Sequence, residues 1–193
     1  MEGPLPRESL TARQIEKYDN ALHSVVRLVH LHGVAAVNLK SVSADSGVAL
    51  ATLYRFFNSK DHLFAAAFDR WQTPLVEVGE PDLRDGSDRG RASAYIVRGT
   101  RSFQRTPNML GLLVFATVST DPFASEQMLR SRRRNSAGLA KVITDAPEAV
   151  RAIAVAVLES FWWDQLVEWH TGRCTHAQLL ERVDSAIDVL LPG

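Results

Sequence analysis

NLKSVSADSGVALATLYRFFNSKDHL, residues 38–63, is the stretch whose reading decides the fold. Asn38 is a good N-cap: its side-chain oxygen can accept one of the free backbone N–H groups at a helix start. Ser46-Gly47 closes that first short helix, because glycine takes positive φ at low cost. Val48-Ala49 makes a turn, and residues 50–57 form a second helix with Leu53 placed to pack back on the first. Asn58-Ser59 then opens another helix. Two short helices joined by a tight turn make a helix-turn-helix, whose second helix is built to enter the DNA major groove.

The pattern is more specific than that motif alone. Gly47-Val48, Thr52-Leu53-Tyr54, Phe57 and Ser59-Lys60 followed by Leu63 resemble the DNA-binding domain of the TetR family of bacterial regulators, over about residues 21–68. One departure is Ala49, where the family often carries Ser or Thr as the recognition-helix N-cap. The resemblance implies an all-α chain: a three-helix DNA-binding head and a larger helical body that binds a ligand. It also implies a homodimer formed through the last two long helices.

The chain has 193 residues, enough for one or two domains with a real core. Its 22 basic and 22 acidic residues balance, so a globally basic DNA-binding signature is absent. Residues 1–70 carry 8 Lys+Arg and 7 Asp+Glu, so a positive face must come from arrangement. With a single cysteine, Cys174, no internal disulfide can form, which fits a reduced, cytoplasmic setting. The N-terminus has no signal-peptide pattern, and the longest apolar run, 109–118, is far short of a membrane span of about 20 residues. No membrane association and no cofactor are expected.

Taken in order, residues 1–11 read as a flexible arm. A helix is expected from 11 or 12 to 31, where Ile15, Leu22, Val25, Val26 and Val29 recur at one-face spacing and Gly33 stops it. After the recognition helix, a fourth helix from about 60 to 71 or 75 buries Leu63, Phe64, Ala67 and Phe68 and links the head to the body. Residues 78–90 read as a polar linker, placing domains at 1–75 and 76–193. Further helices are expected over 91–105, 107–118, 121–144, 147–171 and 175–191. Pro107, Pro122 and Pro147 mark their starts, and the 107–118 helix is apolar around most of its circumference. No strand alternation appears.

Lys40, Thr52, Tyr54 and Lys60 match positions that touch the DNA backbone in the family, and their cationic or hydroxyl groups suit phosphates. Read singly, Lys40, Arg55 and Lys60 are equally solvated surface charges and Tyr54 a core ring; the surrounding motif favours the DNA role. Leu50 and Ala51 would lead the helix into the groove, able to touch a thymine methyl but unable to hydrogen-bond a base edge. That leaves Lys40 and Arg55 as polar base readers and shifts weight to phosphates and DNA shape.

In the body, Phe103, Met109, Leu113, Phe115, Val118, Leu158 and Trp162 are expected to line a pocket for a small apolar or amphipathic effector; a solid core is the plain alternative. Leu166 and Trp169, with the Leu180, Val183 and Ile187 stripe, are expected to form the dimer face. Residues 105–107 (RTP) and 166–173 (LVEWHTGR) look similar to the actinobacterial branch of the family that represses sterol and lipid catabolism. That resemblance implies a lipid or acyl-CoA effector. The arginines at 130, 132, 133 and 134 could then meet a phosphate, though such a run is also an ordinary solvated face. His170, Cys174 and His176 lack a fourth donor and a zinc spacing, so no metal is expected. No nucleophile elbow, phosphate loop or carboxylate pair points to an enzyme. The expected function is a ligand-responsive transcriptional repressor that binds palindromic double-stranded DNA as a homodimer. Its rival is a protein-interaction module whose helix-turn-helix does not bind DNA.

Overall fold

A computed structural model describes residues 4, 5, 7–77 and 86–191, and every described element is helical. The α-helices are α1 (Ala12–His32), α2 (Leu39–Ser46), α3 (Leu50–Phe56), α4 (Lys60–Glu77), α5 (Asp88–Arg105), α6 (Pro107–Thr117), α7 (Pro122–Val142), α8 (Glu148–His170) and α9 (His176–Leu190). The all-α expectation holds, and the N-terminal helix-turn-helix lies where the 38–63 pattern placed it.

The chain packs as two compact units. The first comprises the described residues of Met1–Thr73 together with Thr106–Ser131; the second comprises those of Pro74–Arg105 and Arg132–Gly193. The head is therefore larger than a three-helix domain cut at 75. Helix α6 and the first half of α7 return to it, with α6 packed on α1. This return explains α4, where residues 63–68 (LFAAAF) are buried without a break. Leu63, Phe64 and Phe68 are fully or almost fully covered, and Ala65 meets Ala116 of α6 and Ala124 of α7, with Met128 against the cluster. Small side chains there let helix backbones approach closely, while Phe64 packs on Phe115 with ring centroids 5.5 Å apart.

Within the second unit, α8 packs chiefly on α9, and α5 also packs on α9. Ser93 Oγ donates to Asp184 Oδ1 at 3.0 Å, and Arg89 reaches Asp184 and Asp188. Trp162 lies across α5 at Gly99, where an added Cβ would stand 2.5 Å from the indole Cη2. Glu159, buried on α8, accepts from Asn135 Nδ2 at 2.7 Å and from Ser136 Oγ.

Several features differ from the sequence reading. Helix α5 begins at Asp88 rather than 91, because the Asp88 carboxylate accepts the backbone N–H groups of Thr144, Asp145 and Ala146 and anchors that end. Burial alone would raise the Asp88 pKa, but those amides and Arg91 hold it below the ordinary carboxylate value. Pro147 is the N-cap of α8, not its first residue. The N-terminal arm is not free chain where it is described: Arg7–Ser9 form a 3-10 turn and Leu10 is buried. Of the linker expected over 78–90, residues 78–85 lie outside the described residues.

Candidate nucleic-acid interface

The helix-turn-helix is held by small polar side chains. The Asn38 side chain accepts from Lys40 N at 3.0 Å and Ser41 N at 3.1 Å, and Ser41 Oγ accepts from Asn38 N at 3.0 Å, a reciprocal cap. Gly47 sits at φ 68°, ψ 9°, the left-handed conformation that a side chain disfavours. On either side of it, Ser43 Oγ donates to the Val48 carbonyl at 2.7 Å. Ser46 Oγ donates to the Val42 carbonyl at 2.6 Å and accepts from Val48 N at 3.2 Å. These serine contacts were not foreseen; the signal was three serines within residues 41–46, a density that a solvated helix does not need.

Beneath the turn, Val42, Val48, Leu53, Phe56 and Phe57 are buried with Leu22, Val25 and Val29 of α1. Tyr18 packs on Phe57 with the rings tilted and centroids 4.7 Å apart, and meets Phe56 edge-on at 5.8 Å. Its burial pushes the phenol pKa up to about 12. Ser24 Oγ donates to Asp45 Oδ2 at 2.6 Å and Arg27 pairs with Asp45, tying α2 to α1. Against this core, the opposite edge of α3 is open. Tyr54 is 54% exposed, Ala51 and Arg55 are exposed, and Leu50 and Thr52 are half-buried. Lys40 is exposed on α2. Among the described residues, the side chains of Lys40, Tyr54 and Arg55 make no hydrogen bond or ion pair. Lys60 differs: it is half-buried, with Nζ 4.8 Å from the Phe64 ring centroid and 5.5 Å from that of Phe115. Such a contact at a partly exposed site is worth only about 0.5–1 kcal/mol, so a phosphate can compete for the amine.

The exit of the recognition helix is fastened to the start of α7. Asp121 caps α7 by accepting from Phe123 N at 3.0 Å and Ala124 N at 2.9 Å, and it also accepts from Asn58 Nδ2 at 3.4 Å. Burial alone would raise the Asp121 pKa, yet the donors Ala124, Ser59, Asn58 and Phe123 hold it below the ordinary value. Ser119 Oγ donates to Asp61 Oδ2 at 2.5 Å, and His62 stacks on Phe123 with centroids 5.6 Å apart while its Nδ1 accepts from Asn58 N. Asn108 Nδ2 donates to the His30 carbonyl at 2.9 Å, a second tie from α6 to the end of α1. Helix α4 is thus not the sole covalent or packed route into the head.

The residues expected to line one pocket are divided between the units. Met109, Leu113, Phe115 and Val118 belong to the first; Phe103, Leu158 and Trp162 belong to the second. Val118 is 71% exposed, since it caps α6 at its C-terminal end rather than facing a neighbour. Trp162 donates Nε1–H to Thr100 Oγ1 at 2.9 Å and is core. Of the residues assigned to a dimer face, Leu166, Val183 and Ile187 are buried inside the protomer, where α8 meets α9. They lie in the seam between α8 and α9 of the one chain. Trp169 and Leu180 are half-buried, with Trp169 against His176 at 5.2 Å. The open apolar stripe lies elsewhere on α8, at Val150, Ile153 and Val157. Its signal was legible, because valine and isoleucine recur there at three- and four-residue spacing among alanines. Cys174 is buried, with Sγ donating to the Gln165 carbonyl at 3.8 Å and burial raising its thiol pKa.

The family described as bacterial regulatory proteins, tetR family, matches residues 22–67, the span of the helix-turn-helix and its supports. The chain is similar to the HTH-type transcriptional repressor KstR of Rhodococcus jostii, 27% identical over 92% of this chain and 84% of that protein. It is likewise similar to the KstR of Mycolicibacterium smegmatis, 24% identical over 92% and 88%. A TetR transcriptional regulator from a Rhodococcus species shares the fold with a TM-score of 0.80 at 20% identity, over 94% of this chain and 98% of that one. A tetR-family regulator from Streptomyces coelicolor shares it at 0.67 and 17% identity, over 91% and 80%. No helix among the described residues is long and apolar enough to cross a membrane. From the turn locked at Gly47 to the helices that support it, residues 22–67 match the DNA-binding domain of the tetR family of bacterial regulatory proteins, and the chain as a whole is similar to repressors that carry that domain.

Proposed function

We propose that this protein is a ligand-responsive transcriptional repressor that binds palindromic DNA as a homodimer and is released by a small apolar or amphipathic effector. The observation that carries the DNA half is the division of α3 into a buried edge, Leu53 and Phe56, and an open edge, Ala51, Tyr54 and Arg55, with Lys40 exposed on α2. Tyr54, Thr52, Lys40 and Lys60 would hold phosphates, Leu50 and Ala51 would meet groove methyl groups, and Arg55 would be the strongest base reader. One head spans too few base pairs for useful specificity, and a two-fold pair matches an inverted repeat. The stripe of Val150, Ile153 and Val157 is the face we assign to the second copy: it is apolar, exposed, and lies on a helix whose opposite side is spent on α9.

The similarity of residues 105–107 and 166–173 to the sterol- and lipid-catabolism branch supports a lipid or acyl-CoA effector. To move the head from a 1:99 to a 99:1 population such an effector needs about 5.5 kcal/mol of differential affinity. Electrophoretic retardation of the DNA upstream of its own gene, with and without acyl-CoA thioesters, tests the reading. Salt-sensitive retardation relieved by a thioester is expected. No sequence-selective retardation at low salt would leave the chain as a protein-interaction module instead.

A further inference from the structure

The N-terminal arm supplies the recognition helix with its C-terminal stop. Helix α3 has only seven residues, and its last carbonyls have no intrahelical partner. The Leu53 carbonyl is taken by Phe57 N at 2.8 Å. The Arg55 carbonyl is taken by Leu5 N at 3.2 Å, from a segment fifty residues earlier in the chain. Leu5 lies between Pro4 and Pro6, which have no N–H, so its amide is the one backbone donor that this tripeptide can offer. The arm is then held at two further points. Arg7 pairs with Asp19 of α1, its guanidinium nitrogen 3.1 and 3.3 Å from the two carboxylate oxygens. Leu10 is buried, and at the start of α1 Gln14 Oε1 accepts from Thr11 N at 2.8 Å and from Thr11 Oγ1 at 2.9 Å. Between these points lies Tyr18, which touches both Phe56 and Phe57 at the end of α3.

We infer that Leu5 and residues 7–10 are a positioning element for the recognition helix: the Leu5 amide and the Arg7–Asp19 pair fix the axial placement and pitch of α3 without touching DNA themselves. This rests on the proposed DNA binding, and it assigns the arm a role different from a groove-reading tail. Arg7 is spent on Asp19, so its charge is neutralised within the head.

Two substitutions separate this from the alternatives. Leu5→Pro removes the donor to Arg55 together with the leucine side chain and fixes φ at that position, while Leu5→Ala keeps the amide and removes the side chain alone. Asp19→Asn releases Arg7 without subtracting any positive charge. Binding is measured on the intergenic DNA upstream of the protein's own gene and on a scrambled duplex of equal length, across a salt series. Backbone amide exchange over residues 50–57 is followed in the same variants. Leu5→Pro and Asp19→Asn should each lower the ratio of specific to scrambled affinity by about two- to tenfold, the worth of one lost hydrogen bond or ion pair. The salt slope should stay unchanged, and exchange in α3 should quicken. Leu5→Ala should follow wild type. If the arm instead touched phosphates, Asp19→Asn would strengthen binding to both duplexes, and the inference falls. It falls too if Leu5→Pro leaves both specificity and α3 exchange as in wild type. A wild type that retards neither duplex, with α3 exchange still quickened by Leu5→Pro, refutes the DNA-binding reading and leaves the clamp standing.

Discussion

Gly99→Ala is a one-methyl test of how the second unit is packed. At an exposed mid-helix site, replacing glycine by alanine stabilises by about 0.5–1 kcal/mol, because glycine loses more backbone entropy on folding. At Gly99 the added Cβ would lie 2.5 Å from Trp162 Cη2 and 2.8 Å from Cζ2, well inside van der Waals contact. The ring has two ways to respond. If it stays, the strain is that of an overpacked core, about 1–3 kcal/mol. If it swings aside, its Nε1–H leaves Thr100 Oγ1, a buried bond of 2.9 Å, and a buried donor left unpaired costs about 1–3 kcal/mol. Either route exceeds the propensity gain, leaving a net destabilisation of about 1–2 kcal/mol. For a chain of this size that is a fall in Tm of about 2–8 °C.

The route itself can be read by adding Thr100→Val, which removes the acceptor while keeping the branched shape. If the ring swings, the bond is already lost in Gly99→Ala, and Thr100→Val costs less in that background than alone. If the ring stays, the two costs add. Chemical denaturation of all four proteins completes the cycle. A Gly99→Ala protein as stable as wild type or more so would refute the close approach of Trp162 to α5.

Three further outcomes are expected. Lys60→Ala should weaken binding to all DNA sequences alike and reduce the magnitude of the logarithmic salt slope by about 1; an unaltered slope would mean that its amine stays over Phe64 and Phe115. Ile153→Glu puts a charge on a side chain that is 61% exposed, so folding stability should change by less than about 0.5 kcal/mol. Light scattering should then show a monomer, and a persistent dimer would move the interface off the α8 stripe. Finally, burial lowers the His62 pKa, with Asp121, just before α7, and Glu126 of α7 opposing and Arg130 of α7 assisting. The neutral ring is therefore favoured in the folded state. Its stabilising share is complete above the unfolded histidine value of about 6.5 and is lost as pH falls through the lowered folded value. Between pH 7.5 and 5.5 the Tm of wild type should drop more steeply than that of His62→Phe, and parallel curves would remove His62 from the α4–α7 fastening.

The sequence carried most of the head because the head is built from local signals. Asn38 and Gly47 punctuate α2 by cap chemistry and positive φ, and Leu53 and Phe56 alternate with Ala51, Tyr54 and Arg55 at helical period. Those signals act over a few residues and are readable without knowing what lies opposite. The arm was misread for the complementary reason. Prolines and polar residues look unstructured, and the contacts that order Leu5 and Arg7 come from residues 12–50 positions away. The start of α5 was misplaced by the same kind of distant partner, the amides of residues 144–146. The dimer and pocket residues were drawn from apolar stripes, and period alone does not say which neighbour a stripe meets. Leu166, Val183 and Ile187 are buried within the chain, while Val150, Ile153 and Val157 stay exposed.

One misplacement could have been avoided on physical grounds alone. A helix on the rim of a three-helix head should keep a polar face toward water. Residues 63–68 of α4 run Leu-Phe-Ala-Ala-Ala-Phe and have no such face, so at 1.5 Å of rise per residue nearly two full turns had to be covered all round. The helix over residues 107–118 is itself apolar around its circumference. Two elements that each lack a polar side must cover one another. The return of α6 and the start of α7 to the head follows from that constraint, with Ala65, Ala116 and Ala124 at the contact. The consequence is functional as well as architectural. A ligand-driven shift of α6 or of the α7 start would reach Asn58, Asp61 and His62 at the exit of the recognition helix through contacts already made, with no hinge motion of α4 required.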